Sequence, residues 1–449
     1  MQNTEQLRHV VVIGGGAAGM ACASTLSKHP DRFKVTLIEK KDVVGGQATS
    51  IPVDERKHGA SWINNGVQGG SSKYGTPPKD IQLQVSFGKG KSGFWSNCFP
   101  SQLVNLYAAD IKKFGVFLKV IKWTLPIFGV IPVSTMLKLF MFSTDFGDKM
   151  VYPLIALFLG TGNQTPHVPS GIVERLFNDP NMKLWDYDSD TLLPNLPTMY
   201  TFGNLGEFYS KWRQDLLDRG VTIRTSTEVC KVLHRSQDHV VIRIKDEHGE
   251  EKNETFSHMV LCTLADESLR ILGSNASRRE RFVLGGARFY DDVTVTHSDS
   301  DYFDAHYETK FDPNLCGKPK SEAQQAQIQS STRNFKPMYF TLSYDQEPKL
   351  IEMSFNCSNY QHQFRNRPDH ATPIYQSIFL DSARRDLWTI DKINKDKIIK
   401  ENWWHQLGHR WEHYVRVVPG MMFLQGRQNT FFAGSWTLVV SFSYVCEDI

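Results

Sequence analysis

VVVIGGGAAGMACASTLSKH, residues 10–29, runs from four β-branched residues into three glycines and then into a stretch of small residues. With His9, the run HVVVI shows no polar alternation and is rich in valine, which predicts a parallel strand buried on both faces. Gly14-Gly15-Gly16-Ala17-Ala18-Gly19 then fits the pattern G-x-G-x-x-G. In that pattern Gly14 permits a tight turn, Gly16 lets the backbone approach a pyrophosphate, and Gly19 lets a new helix press on the strand. The free N–H groups and the positive dipole end of that helix then face the phosphates. Ala17, Ala18, Ala21 and Ala23 keep it close to the sheet. KVTLIE, residues 34–39, reads as a second strand and ends on Glu39, twenty residues after Gly19. A carboxylate there is placed to accept hydrogen bonds from a ribose. Strand, turn, helix, strand and acid together predict a bound dinucleotide.

The remaining composition narrows the class. A chain of 449 residues with 40% hydrophobic content can build a large core and more than one domain. With 51 basic and 48 acidic residues the net charge is +3, so no nucleic acid or other polyanion is implied as a partner. Seven scattered cysteines without a CxxC pair argue for a reducing compartment and against a disulfide framework or a zinc site. The opening MQNTEQLRH lacks the apolar stretch of a signal peptide, so a cytoplasmic location is the expectation. Two apolar runs stand out, WTLPIFGVIPVSTML (123–137) and MVYPLIALFLG (150–160). Each is shorter than the roughly 20 residues that a spanning helix needs. Pro126 and Pro132 interrupt the first, and Lys119, Lys122 and Lys138 frame it. It is expected as buried core of an inserted domain, with peripheral contact to a membrane surface or a lipid-like substrate as the alternative.

The G-x-G-x-x-G fingerprint serves NAD and FAD alike. Six residues after Glu39 begins a glycine pair, Gly45-Gly46, within VVGGQAT (43–49). GVTIRTSTEVCKVL (220–233) reads as strand, turn and strand, and follows the helix-like LGEFYSKWRQDLLDR. HMVLCTLADESLRIL (258–272) and NTFFAGSW (429–436) complete the series. In this order the landmarks resemble those of the flavin-containing amine oxidase superfamily. GASWINNGVQGG, TGNQTPH, FYDDVTVTHSDSDYF, SFNCSNYQHQF and FLQGRQNTFFAGSWT resemble its branch of predicted FAD/NAD-binding oxidoreductases. The resemblance implies FAD as cofactor, held by Gly14, Gly15, Gly16, Ala17, Ala18, Gly19, Glu39 and Lys40. It adds Gly46 and Gln47 near the flavin, Val229 at the adenine, and Gly434 and Ser435 at the flavin end. No cysteine or histidine lies in a flavin-attachment motif, so non-covalent binding is expected. No second G-x-G-x-x-G in a strand–turn–helix frame is read, and electrons are expected to pass to oxygen or another acceptor, or back to the substrate in an isomerisation.

The implied fold is α/β, a Rossmann-type FAD-binding domain carrying an inserted α+β substrate domain. The first is expected from residues 1–75, 200–265 and 420–449, and the second from 76–199 and 266–419. The strands DDVTVTH and PMYFTLSY fall in the latter. Residues 316–337 are polar with little apolar periodicity and are expected as a surface loop.

For the chemistry, the flavin performs the redox step while the protein supplies position and exclusion of water. Trp62 and Asn65 are candidates to line the ring, and packing is the alternative for Trp62. His297 and Asp299 end a strand and fit a turn or cap better than a site. His405, His409 and His413 fall at helical spacing, yet without an HExxH glutamate a packed aromatic helix is expected rather than a metal centre. Arg427 is expected to position the last strand through a salt bridge. No catalytic residue is assigned and no metal is expected.

In the superfamily a closing helix follows the turn seen here as GSW, whereas this sequence reads TLVVSFSYVCEDI, which is β-like. Weakened FAD retention is the expectation that follows, alongside the reading of an inactive truncated form. The leading reading is an FAD-dependent oxidoreductase that oxidises, desaturates or isomerises a small-to-medium apolar or amine substrate by hydride transfer to flavin N5. The alternative is a non-enzymatic carrier on the same scaffold, of the Rab GDP-dissociation-inhibitor kind.

Overall fold

A computed structural model describes residues 7–66, 69–71, 81–160, 163–179, 185–193, 196 and 198–437. A five-stranded, all-parallel sheet is ordered Thr222–Arg224, Phe33–Ile38, Arg8–Ile13, His258–Leu261, Thr430–Phe432. Its strands come from three remote parts of the chain, with the glycine-turn strand in the middle. Val10 and Val12 face the helices Ala17–Ser27 and Leu205–Asp218, in a cluster with Met20, Leu37, Tyr209 and Leu216. Val11 and Ile13 face the other way, into a cluster with Val232, Ile242 and Phe256 of a three-stranded antiparallel sheet. Both faces of the central strand are therefore dry, which is why HVVVI carries no alternation.

A second, seven-stranded sheet runs in the order Ile398–Gly408, Arg288–His297, Tyr375–Phe379, Glu347–Asn356, Tyr339–Tyr344, Val85–Phe87, Trp95–Ser96. Only the Tyr339–Tyr344 and Val85–Phe87 pair is parallel. Helices Ala108–Trp123, Val133–Leu139, Tyr152–Leu159 and Ser170–Asn178 pack beside it, sharing a core rich in phenylalanine. The hairpin Ala48–Pro52 with Trp62–Gly66 joins the two regions. Among the described residues no helix is long and apolar enough to cross a membrane.

Three expectations are corrected. Within 316–337, residues Glu322–Asn334 form a helix capped by Ser321, which accepts the Gln324 N–H at 3.2 Å. Its alanines and glutamines favour helix, and one apolar side chain, Ile328, docks it on the Phe94, Phe99 and Phe335 cluster, too little to register as periodicity. The histidine trio does not share a helix. His405 lies in the strand Ile398–Gly408, His409 follows it, and His413 starts a π-helical turn, so the i, i+4, i+8 spacing is coincidental. That strand pairs along its length with Arg288–His297, and this long-range ladder outweighs any local helical preference. The apolar run from 123 is not uniformly core: Trp123 is 86% exposed and Ile127 70%, whereas Val133, Met136 and Leu137 are buried. The second run, at 150–160, is buried as expected, from Met150 through Leu157.

Candidate functional site

The site is built where the parallel strands end. The Gly14 N–H donates to the Ile38 carbonyl at 2.9 Å, tying the glycine turn to the second strand. The helix Ala17–Ser27 starts at Gly16 with no side chain capping it and no acid in its first turn. An 11-residue helix with an uncapped start keeps free N–H groups and a positive dipole end for an anion. A Cβ on Gly19 would overlap the Gly14 carbonyl oxygen, so the helix lies as close to the turn as a backbone can. The Gly45 N–H donates to the Gly15 carbonyl at 2.8 Å, which folds the second glycine turn onto the first. There Gly46 adopts a positive φ of 62°, and a Cβ on it would stand 3.0 Å from the Gly16 Cα. Two strips of bare backbone thus face one another, with Gly16, Ala17 and Ala18 still partly open to solvent.

Glu39 is buried and anchored, accepting the Gly15 N–H at 2.6 Å on Oε2 and the Lys41 N–H at 2.9 Å on Oε1. Each carboxylate oxygen retains lone-pair capacity for a sugar hydroxyl. The next segment is stitched to it: the Ser226 and Thr227 N–H groups donate to the Lys41 and Glu39 carbonyls. Val229, near the start of strand Glu228–Arg235, follows directly and is buried in the cluster with Val11, Ile13 and Ile38. Lys40 points outward into solvent. At the other side of the central strand, the Ala433 N–H donates to the Leu261 carbonyl and Trp436 Nε1 to the Thr263 carbonyl at 2.9 Å. Gly434 and Ser435 therefore sit over the same carboxyl edge of the sheet, beside Gly14, whose added Cβ would meet the Cys262 carbonyl. Gln47 stands where the hairpin begins, its carbonyl against Gly66 and its amide toward the His405 carbonyl at 3.5 Å. These contacts bring Gly14 to Gly19, Glu39 and Gly46 together, whereas Lys40 is turned to solvent and Gln47 belongs to the hairpin.

The hairpin is held against the seven-stranded sheet by buried carboxamides. Asn64 accepts from Ser50 Oγ at 2.7 Å and donates from Nδ2 to the Phe202 and Gly203 carbonyls, each at 3.1 Å. Its backbone N–H donates to Gln361 Oε1, and its carbonyl accepts from Gln361 and Gln376. Asn65 donates to Asn402 Oδ1 at 2.8 Å. Asn64, Asn65 and Gln376 are fully buried. Sequence reasoning singled out Asn65 but missed Asn64, Gln361, Gln376 and Asn402, whose partners lie up to about 340 positions away in the chain. Trp62 is half-buried, its ring meeting His362 edge-on at 5.5 Å, so packing is what the structure assigns it.

His405 sits at the same junction, between Asp291 at 2.6 Å and Asp266 at 2.7 Å. Burial opposes its charge, yet hydrogen bonds to the two carboxylates outweigh that and raise its pKa above the usual histidine value. His297 is fully buried and donates to or accepts from Ser377 at 3.0 Å, and burial lowers its pKa to about 3. Asp299 caps the helix Ser300–His306 and pairs with Lys397 at 3.0 Å. Both are structural, as the sequence suggested. Arg427 donates from Nε to the Phe423 carbonyl at 2.7 Å, a hydrogen bond in place of the expected ion pair. Among the described residues no group of three or more His, Cys, Asp or Glu side chains is placed to hold a metal ion. The β-like sequence at 438–449 lies outside the described residues.

The parallel sheet and its glycine turn define an α/β protein with a Rossmann-like amino-terminal region. Residues 12–72 match the model of an NAD(P)-binding Rossmann-like domain. Over nearly the whole chain the fold is shared with several solved structures. The chain is similar to a CLA-producing fatty acid isomerase from P. acnes, at 14% identity and TM-score 0.61, covering 98% of this chain and 96% of that one. A putative protoporphyrinogen oxidase from Exiguobacterium sp. 255-15 gives 12% and 0.61, covering 99% and 97%. Cyclohexylamine oxidase from Brevibacterium oxydans gives 11% and 0.59, covering 99% and 96%. No curated protein sequence matches the chain.

Proposed function

We propose that this chain is an FAD-dependent oxidoreductase of the amine oxidase type, acting on a small-to-medium apolar or amine-bearing substrate. The observation that carries the reading is the pair of facing glycine turns, Gly16 and Gly46, at the start of an uncapped helix beside the anchored Glu39. An extended cofactor needs such a double strip of bare backbone, because any Cβ at Gly46 would narrow the cradle to contact distance. The helix start would hold the diphosphate and Glu39 the ribose hydroxyls. The second turn and the hairpin of Asn64 and Asn65 would carry the ring system toward the seven-stranded sheet. Bound without a covalent link, FAD would supply a two-electron acceptor for a hydride equivalent. The protein's part is to seat the ring, keep the hairpin rigid through the buried carboxamides and exclude water.

Similarity to a fatty acid isomerase, to amine oxidases and to a putative protoporphyrinogen oxidase supports the class and leaves oxidation, desaturation and isomerisation as its three outcomes. The test is anaerobic titration of the purified protein with candidate substrates while flavin absorbance is followed. Yellow protein bleached by an organic substrate, recoloured by oxygen or another acceptor, is expected for oxidation or desaturation. Substrate turnover without net bleaching is expected for isomerisation. Colourless protein that fails to take up added FAD would overturn the proposal in favour of a carrier.

A further inference from the structure

We infer that helices Ala108–Trp123 and Val133–Leu139, with the turn between them, form a docking surface for an anionic lipid bilayer. The proposal is independent of the cofactor reading. It starts from charge. Residues 111–141 contain five lysines and no aspartate or glutamate, whereas the whole chain is balanced at 51 basic against 48 acidic residues. It continues with burial. Ile111, Phe114, Leu118 and Ile121 form the inward face of the first helix and are buried. Lys112, Val116, Lys119 and Trp123, at i, i+4, i+7 and i+11, form one outward stripe of alternating charge and hydrocarbon.

The stripe continues past the helix end. Trp123 is 86% exposed and Ile127 70%, and in the short helix Leu125–Phe128 Leu125 leans on the core while Ile127 and Phe128 are exposed. The end of the second helix lies alongside: Phe117 meets the Phe140 ring at 5.4 Å, and Lys113 Nζ donates to the Met141 carbonyl at 2.7 Å. This seats exposed Leu139 and Met141, with Lys138, next to the first stripe. Carboxylates at the border are engaged nearby, Asp110 by Ser143 and Asp145 by Lys149. Glu174, whose charge is felt from Lys122, is buried.

Water gains nothing from a tryptophan held almost wholly free of the fold. A bilayer interface accommodates the indole at headgroup level, takes Ile127 and Leu139 into the acyl boundary, and pairs the lysine ammonium groups with anionic headgroups. Lysine stems also cover hydrocarbon while their charges reach outward. Among the described residues a second exposed apolar cluster, of Phe282, Met422 and Phe423, adjoins a groove lined by Arg278, Arg279 and Arg416 and serves as the comparison surface.

Flotation of the purified full-length chain tests this, using vesicles of phosphatidylcholine alone and of phosphatidylcholine with phosphatidylserine. Binding to the serine-containing vesicles, lost on raising the salt, is expected. Replacing Lys112, Lys119, Lys122 and Lys138 by glutamine should lower partitioning about 100-fold or more, since each near-surface lysine contributes about fivefold. Trp123→Ser with Ile127→Ser should lower it at least about tenfold. Met422→Ser with Phe423→Ser should leave it unchanged. Because all these side chains are exposed, an unchanged thermal midpoint certifies that the variants are folded. Absence of flotation, equal flotation with neutral vesicles, or indifference to the Trp123 and Ile127 changes would each overturn the proposal. So would self-association in light scattering that the same changes abolish, for then the face covers a second copy of the chain.

Discussion

The glycine cradle and the carboxamide junction are linked by the hairpin Ala48–Pro52 and Trp62–Gly66 and are built by different means. In the cradle, function falls on backbone: N–H groups at a helix start, carbonyls of two turns, and side chains reduced to hydrogen or methyl. At the junction it falls on side chains, with buried Gln361 and Gln376 engaging Asn64, and half-buried Asn402 engaging Asn65. A cradle made of backbone fails by steric intrusion and leaves its mark within one short stretch of sequence. A junction made of buried amides fails by leaving a polar group unpaired, and its parts are spread across the chain. The first kind of failure should strike cofactor binding directly, and the second should strike stability first.

The harshest test of that contrast is Gly19→Ala. The new methyl would occupy the place of the Gly14 carbonyl oxygen, so the helix must move off the turn. Loss of more than about 3 kcal/mol of stability, with no flavin retained on gel filtration, is expected. Asn64→Ala comes next. It strands Ser50 Oγ and two carbonyls and should cost about 2–3 kcal/mol by chemical denaturation. Flavin content per folded molecule should change little, and a loss of FAD as severe as that of the glycine variant would erase the distinction between the two regions.

Glu39→Gln separates charge from shape within the cradle. The amide keeps one acceptor for the Gly15 N–H but sets its NH2 against the Lys41 N–H, so the FAD Kd should rise about tenfold and stability should fall by about 1–2 kcal/mol. The smallest effect belongs to His405, which is partly exposed and bridges Asp266 and Asp291. Because its pKa is raised in the folded state, its stabilising contribution is complete below pH 6.5 and is lost as pH rises through the higher folded value. His405→Gln should therefore flatten the fall in stability on the alkaline side of pH 6.5, by less than about 1 kcal/mol. An unchanged pH profile would remove His405 from the junction.

The glycine-turn half of the candidate site was legible because its residues act locally. Gly14 to Gly19 must turn and admit a helix within six positions, and Glu39 must end the neighbouring strand, so spacing alone exposes them. The junction left a weaker trace. GASWINNGVQGG drew attention to Asn65, but nothing in it tells that Asn64 is the residue held from four directions. The histidines 405, 409 and 413 show the opposite hazard, since a spacing that suits a helix was produced by a strand, a loop and a turn. Residues 322–334 formed a helix from propensity and a single apolar anchor, a combination that periodicity does not detect.

Sequence by itself determined the parallel strand, the glycine turn and the acid that follows, because these depend on bond rotations and sterics between near neighbours. Tertiary structure alone decided which amides meet at the hairpin, that His405 sits between two carboxylates, and that Trp123 faces outward rather than into the core. Those outcomes depend on which distant surfaces come together, and burial is a property of the assembled surfaces rather than of any one residue.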